Sequence, residues 1–151
     1  MKESNSIGSI TIRNSLMNKE VYHIINIAFG SVILGIILYS MLFRGNNHPI
    51  PALLTQITGL IPPSKGLSAS FSELVRGNLE AAALLNPYGL RIFAFFIIQL
   101  LTRVFISIAI EGEWLNVPRI VIIDSLYSIT LFGICFAPLI GYTIQLFTNL
   151  F

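Results

Sequence analysis

The chain has 151 residues, of which 54% are hydrophobic and only 11% charged, and its mean hydropathy is +0.79. Soluble domains carry roughly a quarter charged residues; so little polar side chain cannot cover a water-facing surface, and with Cys135 the single cysteine the composition excludes an ordinary soluble enzyme, a disordered tail and a disulfide scaffold. Nine Lys/Arg against seven Asp/Glu give a net charge of +2 without any basic patch, which argues against a nucleic-acid partner.

The expected class is an all-α integral membrane protein with three transmembrane helices, since a helix needs about 20 mostly apolar residues to cross the hydrocarbon. Residues 1–20 form an N-terminal tail. The first span covers 21–43, with Lys19 and Glu20 before it and Arg44 after it. His23 and Asn26 lie near its start, where the interface is expected to solvate them. It reads as an uncleaved anchor: a signal peptide has a short basic leader, an apolar region of about 7–15 residues and a small-x-small cleavage site. Here two acids sit in the leader, the apolar region is longer, and Tyr39-Ser40-Met41 is a poor cleavage site.

Residues 44–85 follow as the one sizeable loop. Pro51 to Ile61 is mostly apolar, and Gly66 to Arg76 reads as a short amphipathic helix with Leu67, Phe71 and Leu74-Val75 on one face. Ser70 and Glu73 fit the S-x-x-E capping pattern, and Gly77 can end the helix in the left-handed conformation. An interfacial or re-entrant helical hairpin between helices one and two is therefore expected. The second span, 86–110, opens with Asn86 as cap and Pro87 at the first helical position. A short loop at 111–118 carries Glu111-Gly112-Glu113, and the third span fills 119–151, kinked or broken near Pro138.

Five basic residues fall on the N-terminal side of this layout and four on the other. The count favours a cytoplasmic N-terminus by a narrow margin, because three basic residues precede the first helix.

Two charges lie inside the apolar segments. If spans two and three form a hairpin about 111–118, Arg103 and Asp124 both lie roughly 10 Å inside that end, at 1.5 Å rise per residue. A lone charge in hydrocarbon costs about 3 kcal/mol on insertion scales, so such charges tend to pair. One reading is an intramembrane ion pair that locks the hairpin or guards a path; the other is that Arg103 snorkels beside Glu111 while Asp124 hydrates at the interface. Gln99 and Ser107 stand four residues either side of Arg103. Small residues give a second signal. Gly133, Ala137 and Gly141 recur every four residues in the third span, and Ser31 and Gly35 do so in the first. Such rows let helix backbones approach closely, within the chain or with a partner chain.

Catalytic residues, metal ligands and cofactor-binding residues are not identifiable: there is no HExxH, no CxxC and no Gly-rich phosphate loop, and His23, His48 and Cys135 stand in three separate segments. His48 reads as a solvated loop residue and Cys135 as an inert core thiol. Trp114, Tyr88 and Tyr127 read as interfacial anchors.

The stretch Pro62-Pro63-Ser64-Lys65-Gly66-Leu67-Ser68-Ala69-Ser70-Phe71, then Arg76-Gly77-Asn78-Leu79-Glu80-Ala81-Ala82, then Asn86-Pro87, resembles the signature of a family of small bacterial membrane proteins classed as a domain of unknown function, number 2752. That signature reads Cys-Pro-x-Cys-Gly-Leu-Thr-Arg, then Gly-Asp-Leu, small residues and Asn-Pro. The scaffold positions Pro63, Gly66, Leu67, Phe71, Gly77, Asn86 and Pro87 fit, and Ser68 stands for the threonine. Pro62 and Lys65 replace both cysteines and Ala69 the arginine, so thiolate or dithiol chemistry at that site is absent from this chain. The resemblance implies a divergent member in a bacterial inner membrane. Together these readings lead to a non-catalytic small membrane subunit or accessory protein, not an enzyme, whose partners are other membrane protein chains and the lipid bilayer. No cofactor is expected; a bound lipid, quinone or pigment is left open. The alternative is a small transporter or ligand-binding membrane protein using Arg103, Asp124 and Gln99.

Overall fold

A computed structural model describes residues 2–43, 63–112, 114 and 117–148, with side chains described from Lys19 onward except at 146 and 147. The described residues form helices joined by turns and short connections, with no strand among them. The helices are α1 (Lys2–Leu42), α2 (Leu67–Val75), α3 (Leu79–Leu85), α4 (Gly89–Glu111) and α5 (Val117–Thr148). Three of them contain stretches long and apolar enough to cross a membrane: Lys19–Leu42, Gly89–Glu111 and Val117–Gln145. Helix α1 begins at Lys2, so the N-terminal tail continues the first span as helix instead of leading into it. Helix α5 runs through Pro138 without a break; proline has no N–H to give to the carbonyl four residues earlier, and α5 tolerates that one lost bond.

Which faces are inside follows from the sequence period. In α4 the inward residues Gly89, Ile92, Phe96, Gln99, Arg103, Ile106 and Ile110 succeed one another at alternating steps of three and four. In α1 the buried residues Asn26, Ile33 and Ser40 are spaced by seven. A repeat averaging 3.5 residues keeps one seam of each helix facing its neighbour. The outward faces are apolar: Ile24, Phe29 and Val32 in α1, Leu101 and Phe105 in α4, and Ile122, Leu126 and Ile129 in α5 are all exposed. In water that much bare hydrocarbon would drive association. In a bilayer it meets its own kind, and every backbone polar group of a spanning helix is satisfied within the helix.

The inward seams make two apolar clusters. Phe71, Leu74, Ala82 and Ile92 form the larger, with Ile36, Phe93, Phe96 and Phe136 packed against it; Phe71 meets Phe93 and Phe96 edge-on at ring distances of 5.3 and 5.8 Å. Ile106, Ile110 and Ile120 form the smaller, with Tyr22 beside them. Along α4 the buried residues between these clusters, Gln99 and Arg103, are polar.

Helices α2 and α3 pack on each other and on α1 and α4. They are the described part of the hairpin expected at 44–85; residues 44–62, which include His48 and the whole Pro51–Ile61 stretch, lie outside the described residues. The expected capping pattern is not used. Helix α2 starts after Gly66, three residues ahead of Ser70; Ser70 is buried and its hydroxyl donates to the Ala82 carbonyl at 2.9 Å, tying α2 to α3. Glu73 accepts from Asn78 Nδ2 at 2.7 Å, beyond the end of α2. A hydroxyl facing another helix gains more from that helix's carbonyl than from its own first turn. At the other end the expected glycine stop is present: Gly77 has φ +82, the Gly77 amide donates to the Leu74 carbonyl and the Asn78 amide to the Glu73 carbonyl, the pair of bonds of a Schellman motif. Helix α4 starts at Gly89, two residues later than Asn86 and Pro87 as cap and first position would place it. Asn86 is buried. Its Oδ1 accepts from the Tyr88 amide at 2.9 Å, while its Nδ2 donates to the Pro63 and Lys65 carbonyls at 3.0 and 2.9 Å, so it closes the 63–66 turn onto the start of α4.

That closure makes Gly66 irreplaceable in two ways. Its φ is +77, and a Cβ there would lie 2.4 Å from the Leu85 carbonyl oxygen. Gly77 has a similar φ with nothing within 4 Å of a Cβ. Gly77→Ala should therefore cost only the left-handed penalty of about 1–2 kcal/mol. Gly66→Ala should cost distinctly more, because the α3 carbonyl must also move. Thermal loss of helical circular dichroism in detergent micelles measures the order; equal midpoints for the two variants would remove the close approach from the account.

Candidate functional site

The candidate site is the polar layer between the two apolar clusters, built by three helices. Arg103 of α4 and Asp124 of α5 form an ion pair with both side chains about nine-tenths buried. The guanidinium meets the carboxylate as a fork: Nη2 donates to Asp124 Oδ1, and Nη1 donates to Asp124 Oδ2 at 2.7 Å. This is the geometry in which arginine binds carboxylate most strongly. Arg103 does not reach Glu111; that carboxylate is exposed and faces His23 of α1, with His23 Nε2 at 3.7 Å.

Each remaining polar atom of the fork is also engaged. Arg103 Nη1 donates to Asn26 Oδ1 at 3.1 Å, and Nη2 to Gln99 Oε1 at 3.2 Å and Ser128 Oγ at 3.1 Å. Tyr22 donates its hydroxyl to Asp124 Oδ2 at 2.8 Å. Asn26 is fully buried, and its Nδ2 donates to the Arg103 carbonyl at 2.8 Å and to Ser107 Oγ at 2.7 Å. Both polar atoms of the Asn26 side chain are used, in three hydrogen bonds. A side-chain amide can reach a backbone carbonyl of the next helix only if the helices approach closely. Gly30 stands at that approach, where a Cβ would lie in ordinary van der Waals contact with Arg103 Cβ, at 3.5 Å. Gln99 Nε2 is buried and has no hydrogen-bond acceptor among the described residues.

Arg103, Asp124, Gln99 and Ser107 were singled out in the sequence and come together here. Tyr22, Gly30 and Ser128 carry no such signal singly. Asn26, expected to be solvated at the interface, lies at the centre of the layer, since its Cα is on the α1 seam and not at its rim. The signal for it is the spacing: Tyr22, Asn26 and Gly30 recur every four residues, one polar or small row on an otherwise apolar helix.

Among the described residues the small-residue rows do not meet another helix. Gly133, Ala137, Ser31 and Gly35 face outward and Gly141 is half-buried, with nothing within 4 Å of where a Cβ would stand on Gly35, Gly133 or Gly141. Cys135 is half-buried, so it is not the core thiol expected. Trp114 is exposed; Tyr127 also is, and Tyr88 packs 6.5 Å from the Tyr142 ring. The family-like positions gather in one place instead of lining a cleft. Phe71 anchors the larger apolar cluster and Leu67 packs on it, Pro63 supplies a carbonyl to Asn86, Gly66 and Gly77 make the two left-handed turns, Ser68 and Pro87 are exposed, and the Ser68 carbonyl accepts from Ser72. Among the described residues no group of His, Cys, Asp and Glu is arranged to hold a metal ion.

No family model, curated protein or solved structure matches this chain.

The layer predicts a lopsided mutational pattern. Asp124→Ala leaves the Arg103 guanidinium buried without its carboxylate and should destabilise by about 3–5 kcal/mol. Replacing both partners, Arg103→Met with Asp124→Leu, should recover most of that loss, because no charge is left to desolvate. Unfolding midpoints of Arg103→Met, Asp124→Leu and the double variant form the cycle; additive losses would mean the two side chains do not act as a pair.

Proposed function

We propose that the chain is a non-catalytic small membrane subunit or accessory protein that docks onto another membrane protein through α5. One observation carries this reading: α5 is the longest span and the least covered. Only 6% of its most apolar window is buried inside the chain, against 28% for α4. Its packing is with α4 and, more slightly, α1. The row Gly133, Ala137 and Gly141 supports the same reading, since close helix packing in lipid uses such rows and hydrophobic burial provides no drive there. The polar layer supports it from the other side. A charge pair whose lone pairs and donors are engaged by Tyr22, Asn26, Gln99 and Ser128 is suited to holding three helices together. The likeness of residues 61–101 to the family classed as domain of unknown function 2752 extends the proposal to a bacterial inner-membrane setting with a cytoplasmic N-terminus.

The reading is tested in native membranes with a photo-crosslinking residue at Ala137, and as control at Ile27 on the exposed face of α1. The expected result is a discrete adduct to a second membrane protein from position 137 and only lipid adducts from position 27. Ala137→Leu should abolish co-purification of that protein in mild detergent while leaving the unfolding midpoint within about 0.5 kcal/mol of the parent, as for a surface change away from any packed contact. A monodisperse monomer with lipid adducts alone from position 137 overturns the reading.

The transporter reading is favoured by one observation, the unpartnered Gln99 Nε2 beside the pair, because intramembrane polar groups mark ion or proton pathways. Proteoliposomes loaded with a pH-sensitive dye separate the two. A subunit gives no proton flux above empty liposomes, and a flux abolished by Arg103→Ala would replace the docking proposal.

A further inference from the structure

Two grooves run along α5 on the end of the bundle near the α4–α5 connection. One, between α1 and α5, is lined by Val21, Tyr22, Ile25, Val117, Pro118 and Val121 and has no charged side chain in its wall. The other, between α4 and α5, encloses about 560 Å³ and is lined among others by Phe105, Trp114, Arg119, Ile123, Asp124 and Tyr127. That volume falls in the range of small-molecule sites, about 300–1,000 Å³, and the two ends of the groove differ in chemistry.

At its mouth stand a cation and an indole. Arg119 is exposed and makes no ion pair or hydrogen bond with the described residues. Trp114 is held in place by the chain: its amide donates to the Ala109 carbonyl at 3.2 Å, folding the residue back over the end of α4, and its ring lies on Gly112, where a Cβ would sit 2.8 Å from Nε1. Below the mouth the walls are hydrocarbon, from Phe105, Ile106, Ile120 and Ile123. Arg119 and Tyr127 are eight residues apart, so the groove descends about 12 Å at 1.5 Å per residue, close to the roughly 15 Å of one leaflet of a 30 Å hydrocarbon core. The carboxylate of Asp124 borders the groove, but its charge is answered by Arg103 and its oxygens are engaged by Arg103 and Tyr22. The net character of the site is therefore a cation beside an indole over an apolar slot about 12 Å deep.

We infer that this groove binds one anionic phospholipid, with its phosphate on Arg119 and the Trp114 indole and an acyl chain along Phe105, Ile123 and Tyr127. Cationic side chains at the membrane surface attract anionic headgroups, and the length and apolar walls of the slot select a lipid over a free phosphate ion. The assignment concerns α4 and the groove face of α5 and does not require a partner on the outward row of α5.

Native mass spectrometry of the full chain in mild detergent tests it, with phosphatidylglycerol and phosphatidylcholine of identical acyl chains as probes. The expected result is one phosphatidylglycerol retained per chain with an apparent affinity at least tenfold above that for phosphatidylcholine. Arg119→Gln should lower the affinity for phosphatidylglycerol about tenfold, to the phosphatidylcholine level. Ile123→Trp, which fills the slot from an exposed position, should remove retention of both lipids. Both variants should keep the parent unfolding midpoint, which separates lost binding from lost folding. Equal retention of the two lipids, or retention unchanged in either variant, overturns the inference, as does displacement of the lipid by millimolar inorganic phosphate alone.

Discussion

The fork between Arg103 and Asp124 is the constraint to which the three long helices answer. A guanidinium and a carboxylate inside hydrocarbon cost several kcal/mol unless paired, and pairing alone leaves donors and lone pairs unsatisfied. The chain meets that demand with further polar partners from every long helix: Tyr22 and Asn26 from α1, Gln99 from α4 and Ser128 from α5. The consequence is geometric. Helix α1 cannot rotate or slide by a residue without moving Asn26 off both Arg103 groups it contacts, and α5 cannot shift by a turn without leaving the fork. In a solvent where apolar side chains gain nothing by meeting one another, register has to come from groups like these.

The short helices take a different task. The first span ends without a basic residue in its last turn, and the final carbonyls of a helix lack partners of their own. They receive them from α2: Arg76 Nη2 donates to the Met41 carbonyl at 3.0 Å, and Ser72 Oγ lies 2.7 Å from the Phe43 carbonyl. Arg76 Nη1 also donates to the Ser72 carbonyl of its own helix. Asn86 then binds the 63–66 turn to the head of α4. The α2–α3 pair is thus a clasp joining the end of α1 to the start of α4, and its stretch is the one in which the family-like residues concentrate. Glycines with positive φ, an asparagine bridging a turn and a buried phenylalanine suffice to account for that pattern by folding alone.

The sequence made the three spans legible because length and hydropathy act over some twenty residues and few errors survive that averaging. It also brought Arg103 and Asp124 to the same depth, since a short connection fixes the register of two antiparallel helices. What it did not disclose was the contribution of α1. Asn26 lies five residues inside the span, a distance at which either interface or interior is open to it, and only the direction of its Cα on the α1 seam decides. Ser70 misled in the opposite way. Its S-x-x-E spacing is that of a cap, but a cap requires the helix to begin there, and Gly66 begins it earlier. Local patterns failed wherever a neighbouring helix offered a polar side chain a better partner than its own backbone.

The position of α5 is the point on which this economy turns. The helix has one seam fixed by Asp124, Ser128 and the stacked Phe132 and Phe136 rings, 4.5 Å apart, and the rest of its circumference is open. A span that existed only to complete the bundle would need to present no more than that seam and an unpatterned apolar back. Its back instead has glycine and alanine at every fourth position beside exposed Ile122, Leu126, Ile129 and Ile134. Glycine inside a helix costs about 1 kcal/mol relative to alanine, and none of the described residues approaches Gly133 closely enough to recover that cost. A contact outside the chain would recover it, through backbone approach at the row of small residues, and that contact would lie on the face that the polar layer leaves free.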